Sequence, residues 1–327
     1  MKFLIVGFGS IGRRHFRNLL ALGEKDIVLY RTNHSTLPTD ETEGFPVETD
    51  LDAALAHKPD ALIVANPTAL HLPVSIPAAE AGCSIFMEKP ISNSLEGIES
   101  LRVALEKGGG KLLMGYQFRF HPGLQKIKSL LDEKIIGEPL SIRGQWGEYL
   151  PGWHPWEDYR KSYAARADLG GGVVGTLSHP LDYMRWLLGE VKAVWAMAGK
   201  ISDLQINVED VAEIGLGFEN STLGSLHLNY FQKPGVHRLE VLCSQGTITW
   251  DNADGCVHVL RPEQPEEVFA PPVGFERNDL FLAETRHFIQ VVRGEAKPIC
   301  SLDDGLADMK LVQAIHLSSS TGSVVGL

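Results

Sequence analysis

Several signatures of metal-binding and redox-active proteins are absent from this sequence. Its four cysteines stand far apart, with no CxxC pair and no His-Cys spacing suited to zinc, so we expect them to be reduced and mostly buried. The zinc-protease motif HExxH is missing, as are internal repeats and low-complexity tracts. We therefore expect no bound metal and no repeat architecture.

Basic charge and long apolar runs are lacking too. The 327-residue chain has a formal net charge of −11 and no basic stripe, which argues against nucleic acid or an anionic membrane surface as a partner. No apolar stretch is long enough to span a bilayer, and the first residues read as a strand rather than a signal segment. The sequence predicts a cytoplasmic protein whose partner is a small molecule.

Length and patterning predict an α/β protein of two domains. Strands and helices alternate in the first part, which is typical of the doubly wound parallel sheet of a Rossmann domain. Later segments of alternating polarity, such as 211–218 and 226–230, are separated by turns and predict one large, mainly antiparallel open sheet. We expect a dinucleotide-binding domain over 1–120 and a substrate-binding and oligomerisation domain over 121–327.

The second sheet also predicts an oligomer. If helices cover one of its faces, the other face needs cover of its own. A partner subunit could supply that cover, so we expect a homodimer or homotetramer formed through the C-terminal sheet.

A glycine fingerprint opens the chain. The apolar run Phe3–Val6 predicts a buried parallel strand, and Gly7-Phe8-Gly9-Ser10-Ile11-Gly12 follows it directly. In a nucleotide-binding turn, the first glycine makes the turn, the second lets the backbone approach a pyrophosphate and the third lets the next helix pack closely. The sequence therefore predicts dinucleotide binding by these six residues; the alternative is a tight turn without a ligand.

The end of the second predicted strand bears on the choice of cofactor. Where an acidic side chain would take the ribose 2′-hydroxyl of NAD, the sequence has Arg31, Thr32 and Asn33. Arg31 could pair with a 2′-phosphate and its neighbours could add hydrogen bonds, so NADP is favoured over NAD. The alternative for Arg31 is a solvated charge at the end of a strand.

Glu88-Lys89-Pro90 follows another predicted strand, Ser84–Met87. Ligands of doubly wound sheets lie beyond the carboxyl ends of the strands, so Lys89 is expected to point toward the nicotinamide and to touch the substrate. There it could take an alcohol's proton in oxidation or polarise a carbonyl in reduction. The alternative is an ordinary surface lysine. Other residues predicted near the cofactor are Glu88, Asn66, Pro67, Thr68, His71 and Gln117.

A second cluster centres on Ser178-His179. Pro180, Asp182 and Gly189 predict a helix that places His179 at or beside its N-cap. The positive end of a helix disfavours imidazolium, so a neutral His179 could act as a base, with Asp182 orienting it or partly restoring its charge. The alternative is a capping histidine with a structural role.

An aromatic segment between the domains could hold the substrate. It includes Trp146, Tyr149 and the run 153–163, and we interpret it as a loop. Aromatic faces stack on sugar rings, and arginines bind carboxylates or phosphates. The alternative is packing between domains. The predicted substrate residues, besides Lys89, His179 and Asp182, are Trp153, Trp156, Tyr159, Arg160 and Arg119.

Taken together, these motifs resemble the Gfo/Idh/MocA oxidoreductase family over nearly the whole chain. The resemblance implies sugar, cyclitol or sugar-nucleotide substrates, NAD or NADP as cofactor, and Lys89 and His179 as catalytic residues. It also implies a Rossmann domain followed by an α/β domain whose open sheet often pairs subunits. The motifs are Gly7-x-Gly9-x-x-Gly12, Asn66-Pro67-Thr68 with His71, Glu88-Lys89-Pro90, the run Gly170 to Gly172, and Ser178-His179 with Asp182.

One position departs from the family pattern. Many members carry an aspartate four residues before the histidine, where this chain has Gly175. The departure leaves the pair Lys89 and His179 intact, and we expect an NAD(P)-dependent dehydrogenase acting on CH-OH groups. It also motivates an alternative, a catalytically silent NAD(P)-sensing regulatory protein of the same fold; reduction of a non-sugar carbonyl or imine is a third possibility.

Overall fold

A computed structural model describes residues 1–32 and 40–327 of the chain. They form two compact units, one made of Met1–Gln117 with Glu276–Met309 and the other of Phe118–Phe275 with Lys310–Leu327. The segment Glu276–Met309 thus packs with the first unit, whereas the expected boundary at residue 120 assigns it to the second domain. The units reflect packing alone, and the expected division into functional domains stays a prediction.

The helices and strands follow one another in the expected alternation and then in the expected series of strands. The helices are α1 (Ser10–Ala21), α2 (Leu51–Ala56), α3 (His71–Glu80), α4 (Ile98–Gly108), α5 (Pro122–Asp132), α6 (Val173–Thr176), α7 (His179–Leu188), α8 (Arg277–Val292) and α9 (Leu302–Thr321). The strands are β1 (Lys2–Val6), β2 (Asp26–Tyr30), β3 (Val47–Glu48), β4 (Ala61–Val64), β5 (Ser84–Glu88), β6 (Leu112–Gly115), β7 (Pro139–Tyr149), β8 (Val191–Gly199), β9 (Val211–Phe218), β10 (Leu223–Asn229), β11 (Phe231–Cys243), β12 (Gly246–Asp251), β13 (Val257–Leu260), β14 (Glu267–Phe269) and β15 (Val325–Gly326).

The first unit contains a six-stranded parallel sheet in the order β3-β2-β1-β4-β5-β6. Its strands are mainly apolar and are fully buried along the inner strand β4 and the edge strand β6, as expected for strands covered on both faces. The strand order reverses between β1 and β4, and ligands of doubly wound sheets bind outside the carboxyl ends at that reversal. The predicted Rossmann fold is confirmed.

The second unit contains a nine-stranded sheet in the order β14-β13-β12-β11-β7-β10-β9-β8-β15. All neighbouring strands are antiparallel except β7 and β10, which run parallel. Buried and exposed residues alternate along β9 and β11, so one face of the sheet is covered and the other is open. The predicted large, mainly antiparallel open sheet is confirmed. In the two described ranges, no helix combines the length and apolar composition needed to cross a bilayer.

Candidate functional site

The three fingerprint glycines meet different surroundings. Gly7 has a φ of +88°, and a Cβ there would lie 2.7 Å from the Ala65 carbonyl oxygen. A Cβ on Gly12 would overlap the carbonyl oxygen of Gly7, whereas a Cβ on Gly9 would meet nothing within 4 Å. The first and third glycines therefore allow close packing of backbone, and the second borders open space.

The start of α1 fits the pyrophosphate of a dinucleotide. Gly9 is its N-cap and provides no capping side chain, and the first turn, which begins Ser10-Ile11-Gly12, holds no acidic residue. Its backbone N–H groups and the positive end of the helix can therefore receive an anion. Phe8 is buried and packs edge-on against Phe16 of α1, with ring centroids 5.5 Å apart, which fixes the loop to its helix.

Arg31 follows β2 directly and is only 7% exposed. Its backbone N–H donates to the Glu48 carbonyl, but its side-chain Nε has no hydrogen-bond partner in the described part of the chain. Buried polar atoms are normally hydrogen-bonded, so an unpartnered guanidinium nitrogen fits the binding of an anionic group. Thr32 is exposed, and Asn33 lies outside the described residues.

The loop after β4 contains the predicted residues Asn66, Pro67 and Thr68. The Asn66 side-chain amide donates to the Leu70 carbonyl at 3.1 Å, and Thr68 is 2% exposed. Among residues 1–32 and 40–327, the side-chain oxygen of Asn66 is buried without a partner. This loop lies at the carboxyl end of β4, where the sheet order reverses, and its polar atoms can line a cofactor.

His71 lies between two backbone carbonyl groups, and its predicted place beside the cofactor stays a prediction. Its ring is 1% exposed, with Nδ1 2.9 Å from the Pro90 carbonyl oxygen and Nε2 3.0 Å from the Asn66 carbonyl oxygen. Burial lowers the pKa of His71, against the opposing effect of these carbonyls and of Glu88. Both ring nitrogens face the backbone, so His71 ties the loop after β4 to the turn after β5.

Glu88 ends β5 opposite Gly115 of β6, and Lys89 follows it in a half-buried position. The Glu88 carboxylate is 2.7 Å from Nε2 of His15, a fully buried residue of α1. The Lys89–Pro90 peptide bond is cis. Gln117, predicted near the cofactor, is 7% exposed and follows β6.

His15 is a residue that sequence reasoning missed. It lies one helical turn after Gly12, and that spacing places it on the same face of α1 as the third glycine of the fingerprint, which packs against the sheet. This spacing was the available signal. Its significance depends on a partner 73 residues away along the chain.

In the second unit, α7 begins with His179, as the sequence predicted. His179 is 2% exposed, and its ring lies 5.1 Å from that of Phe118 and 5.6 Å from that of Trp146, centroid to centroid. Aromatic packing on two sides fixes the imidazole at the helix start.

Arg119 and Asp182 form a buried ion pair. The Nε of Arg119 donates to both carboxylate oxygens of Asp182 at 3.0 and 3.1 Å, and its NH2 donates at 2.6 Å. Each side chain is exposed by 3% or less. The two charges thus pair with each other, and the pair anchors the first turn of α7. The predicted roles of Arg119 toward substrate and Asp182 toward His179 stay predictions.

A stack of rings supports the helix from the sheet. Trp146 lies parallel to His237, with centroids 4.4 Å apart, and the Tyr183 hydroxyl of α7 is 3.1 Å from His237 Nε2. Burial, and to a lesser degree His121, lowers the pKa of His237 to about 3. Trp146 and Tyr149 belong to the strand β7 and not to the loop that we interpreted from the sequence.

The rest of the predicted aromatic segment is irregular chain with short 3₁₀ turns. Trp153 packs edge-on against Tyr230 at 5.7 Å, whereas Trp156 is 66% exposed. The Tyr159 hydroxyl accepts a hydrogen bond from the backbone of residue 205. Arg160 bonds to Asp158 at 2.8 Å and lines a cavity of about 520 Å³ with residues 165–166, 200 and 203–207.

Gly175 lies in open surroundings. A Cβ there would meet only the Gly170 carbonyl oxygen, at 3.9 Å. The backbone thus leaves room for a larger side chain at this position. Among the residues that the structure describes, no group of three or more histidine, cysteine or acidic side chains is arranged to hold a metal ion.

Comparisons with known proteins bear on both units. A family model described as an oxidoreductase family with an NAD-binding Rossmann fold matches residues 1–116, and a model of the GFO/IDH/MocA C-terminal domain matches residues 124–249. The chain is 28% identical over 321 residues to the myo-inositol 2-dehydrogenase of Thermotoga maritima, covering 93% of this chain and 92% of the relative. It is 25% identical over 281 residues to the D-xylose 1-dehydrogenase (NADP(+)) of Haloarcula marismortui, covering 84% and 77%.

A solved structure shares the fold. Levoglucosan dehydrogenase in complex with NADH superposes with a TM-score of 0.89 at 20% identity, over 100% of this chain and 98% of that one. At this identity the similarity shows that the two proteins share the fold of both sheets.

Proposed function

The chain belongs to the Gfo/Idh/MocA family of oxidoreductases with an NAD-binding Rossmann domain, and from that premise we propose that it transfers hydride between a nicotinamide cofactor and a ring carbon of a sugar, cyclitol or sugar nucleotide. The observation that carries the proposal is the turn Glu88-Lys89-Pro90. The turn places the half-buried Lys89 at the carboxyl end of β5. Its neighbour Glu88 contacts His15 of α1, the helix whose start fits a pyrophosphate.

The first unit holds the cofactor in this proposal. Residues 7–12 and the start of α1 receive the pyrophosphate, and Asn66 and Thr68 line the neighbouring strand end. Bound nicotinamide supplies or accepts the hydride. Gln117, which follows β6, also lines the proposed cofactor site.

Lys89 and His179 handle the proton in this proposal. Lys89 polarises the oxygen at the reacting carbon, and His179 takes the hydroxyl proton in oxidation and returns it in reduction. The support for Lys89 is its partial burial at a strand end, and that for His179 is its buried place at the start of α7. The aromatic side chains of Trp153, Trp156 and Tyr159 and the guanidinium of Arg160 are proposed to contact the substrate.

The direct experiment is an assay of reduced-cofactor absorbance with a panel of sugars, cyclitols and sugar nucleotides. The named activities of the relatives on myo-inositol and D-xylose define the first compounds to try. We expect turnover with at least one compound, and a loss of about a hundredfold or more in kcat for Lys89→Ala and for His179→Ala. Cofactor binding without turnover on the whole panel would contradict the proposal.

NADP is the proposed cofactor in preference to NAD. Arg31 supports this choice because its buried Nε has no partner in the described ranges, and a 2′-phosphate would provide one. Replacing Arg31 with Gln should weaken NADP binding at least about tenfold and leave NAD binding unchanged. Arg17→Gln is the control, since Arg17 is 63% exposed and already paired with Glu41. Equal losses for both cofactors would reject the assignment.

A second candidate, a cofactor-sensing regulatory protein, rests on Gly175. That position is open and carries no side chain, so a carboxylate that many relatives of the family place there is missing. Under this alternative, cofactor binds but no substrate turns over. A protein partner whose capture changes with NADP, together with an inactive wild-type chain, would favour it; turnover that Lys89→Ala abolishes would exclude it.

We also propose that the open face of the second sheet joins subunits into a homodimer or homotetramer. Trp195 and Met197 of β8 are 41% and 65% exposed on that face, and Leu223 of β10, one strand beyond the intervening β9, is 66% exposed. Large exposed apolar side chains on one open sheet face favour burial against a second copy. Light scattering should give twice or four times the chain mass, and Met197→Asp with Leu223→Asp should reduce it to the monomer value.

A further inference from the structure

The turn that carries Lys89 is held at both ends by buried histidines. At its start, His15 Nε2 lies 2.7 Å from the Glu88 carboxylate; at its end, His71 Nδ1 lies 2.9 Å from the Pro90 carbonyl oxygen. The two histidines are 0% and 1% exposed and come from α1 and α3. Lys89 lies between Glu88 and Pro90 and is half-buried.

The direction of the His15 bond follows from its surroundings. Its Nδ1 is buried without a hydrogen-bond partner in the described part of the chain, whereas Nε2 faces a carboxylate. A buried N–H without an acceptor is costly, so the proton belongs on Nε2 and is donated to Glu88. The ring also packs edge-on against Phe86 at 4.7 Å and Phe281 at 6.3 Å, which fixes its orientation.

Fixing Glu88 constrains its neighbour. Lys89 follows Glu88 directly at the end of β5, so a bond that holds Glu88 toward α1 also restricts the position of the backbone from which the Lys89 side chain extends. The other carboxylate oxygen of Glu88 lies beside Gly115 of β6, since a Cβ added at Gly115 would be 3.2 Å from it. The Glu88 side chain therefore lies between the His15 donor and the β6 strand.

We propose that His15 is a positioning residue for Lys89: by donating to Glu88 it links the helix that receives the pyrophosphate to the turn that presents the lysine. The role of Lys89 in catalysis rests on the proposed function, whereas the mechanical link does not. Neither the glycine fingerprint nor the Glu88-Lys89-Pro90 motif alone assigns a task to this histidine.

The test measures Lys89 itself. Only the neutral amine reacts with an acylating reagent, so the pH dependence of Lys89 labelling, read by mass spectrometry, reports its local environment without any substrate. His15→Phe keeps a ring but loses the donor, His15→Asn is too short to reach Glu88, and His15→Gln keeps a donor of similar reach. Without the His15 bond the Glu88 charge is less compensated, which favours the charged ammonium of Lys89.

We expect His15→Phe and His15→Asn to lower Lys89 labelling at pH 8 by about three- to tenfold, and His15→Gln to restore most of it. The matched control is His57→Phe, which removes a 2.8 Å histidine–glutamate pair with Glu48 elsewhere in the first unit. Circular dichroism and cofactor titration establish that each variant is folded. Unchanged Lys89 labelling in a folded His15→Phe or His15→Asn overturns the proposal.

The kinetic consequence separates this proposal from the function. If the enzyme turns over, kcat should fall in His15→Phe with its pH profile displaced toward alkaline pH, and recover in His15→Gln. If the wild-type chain turns over no substrate but the His15 variants differ from it in Lys89 labelling, the proposed function is wrong and the role of His15 stands. If the wild-type chain turns over a substrate and Lys89 labelling is the same in all variants, the role of His15 is wrong and the proposed function stands.

Discussion

At the scale of single residues, the fingerprint glycines should respond differently to the same substitution. Gly12→Ala forces a Cβ onto the Gly7 carbonyl, so we expect a loss of about 3 kcal/mol or more in the free energy of unfolding. Gly9→Ala adds a methyl group to open space at a φ of −79°, which any residue adopts, so stability should change by about 1 kcal/mol or less.

Cofactor affinity should follow the opposite order among folded proteins. The Gly9 methyl group points into the space proposed for the pyrophosphate, and we expect Gly9→Ala to raise the cofactor Kd at least about tenfold. Denaturant unfolding and fluorescence titration measure the two quantities. A Gly9→Ala protein with wild-type affinity would show that the pyrophosphate lies elsewhere.

Spacing was sufficient to predict the close backbone packing at Gly7 and Gly12, but not the contacts of the histidines near them. The glycine spacing describes a local turn whose atoms are all close in sequence. His71 acts through Pro90, 19 residues away, and His15 through Glu88, 73 residues away. The partner carbonyls of His71 carry no signature of their own, so these contacts could not be predicted from the sequence. Partial burial at Lys89 and deep burial at Arg31 depend in the same way on packing.

At the scale of elements, α7 shows what a buried ion pair does for a helix. Arg119→Met leaves the Asp182 charge buried without its guanidinium, so we expect a loss of about 3–5 kcal/mol in the free energy of unfolding. The control is Arg238→Met, which removes an ion pair with Asp251 from a side chain that is 61% exposed and should cost about 1 kcal/mol or less. Chemical denaturation of both variants provides the comparison, and equal losses would contradict the anchoring role of Arg119.

The start of α7 was predictable, whereas the strand β7 was not. Ser178, Pro180 and Gly189 are local signals that fix the ends of the helix, and its N-terminal His179 followed from them. In β7 the apolar alternation is interrupted by Gly144 and Gly147. A Cβ at Gly144 would lie 2.9 Å from the side chain of Leu226 in the neighbouring strand, so the interruption results from packing across the sheet. For this reason the sequence around Trp146 was interpreted as a loop.

At the scale of the whole molecule, the sequence did not predict that the segment Glu276–Met309 packs with the first unit. The helix α8 packs with α1, and the guanidinium of Arg14 donates to the side-chain oxygen of Asn278 at 3.2 Å although the two residues are 264 positions apart. Helical periodicity within α8 does not specify which sheet the helix covers. The two fold types were predictable because the strands of each sheet come from one continuous stretch of the sequence, β1 to β6 for the first sheet and β7 to β15 for the second.

Buried histidines should make the stability of the whole molecule sensitive to acid. Burial lowers the pKa of His121 to about 4, and burial with the nearby His121 lowers that of His237 to about 3. Unfolded histidine titrates near pH 6.5, so between about pH 6 and pH 4 the unfolded chain binds protons that the native chain does not. The free energy of unfolding must therefore fall as the pH falls, by up to about 1.4 kcal/mol per pH unit for each histidine.

Replacing either histidine should flatten this dependence. His237→Phe keeps an aromatic ring against Trp146 but removes one titrating group, so its slope between pH 6 and pH 4 should be smaller than that of the wild type by about 1 kcal/mol per pH unit. His121→Phe should show a similar reduction. Equilibrium denaturation at several pH values gives the slopes directly, and since all carboxylates are shared by the three proteins, their contribution cancels in the comparison. Identical slopes in wild type and variants would mean that both rings take up protons in the native state, and that the ring stack beneath His179 is open to water.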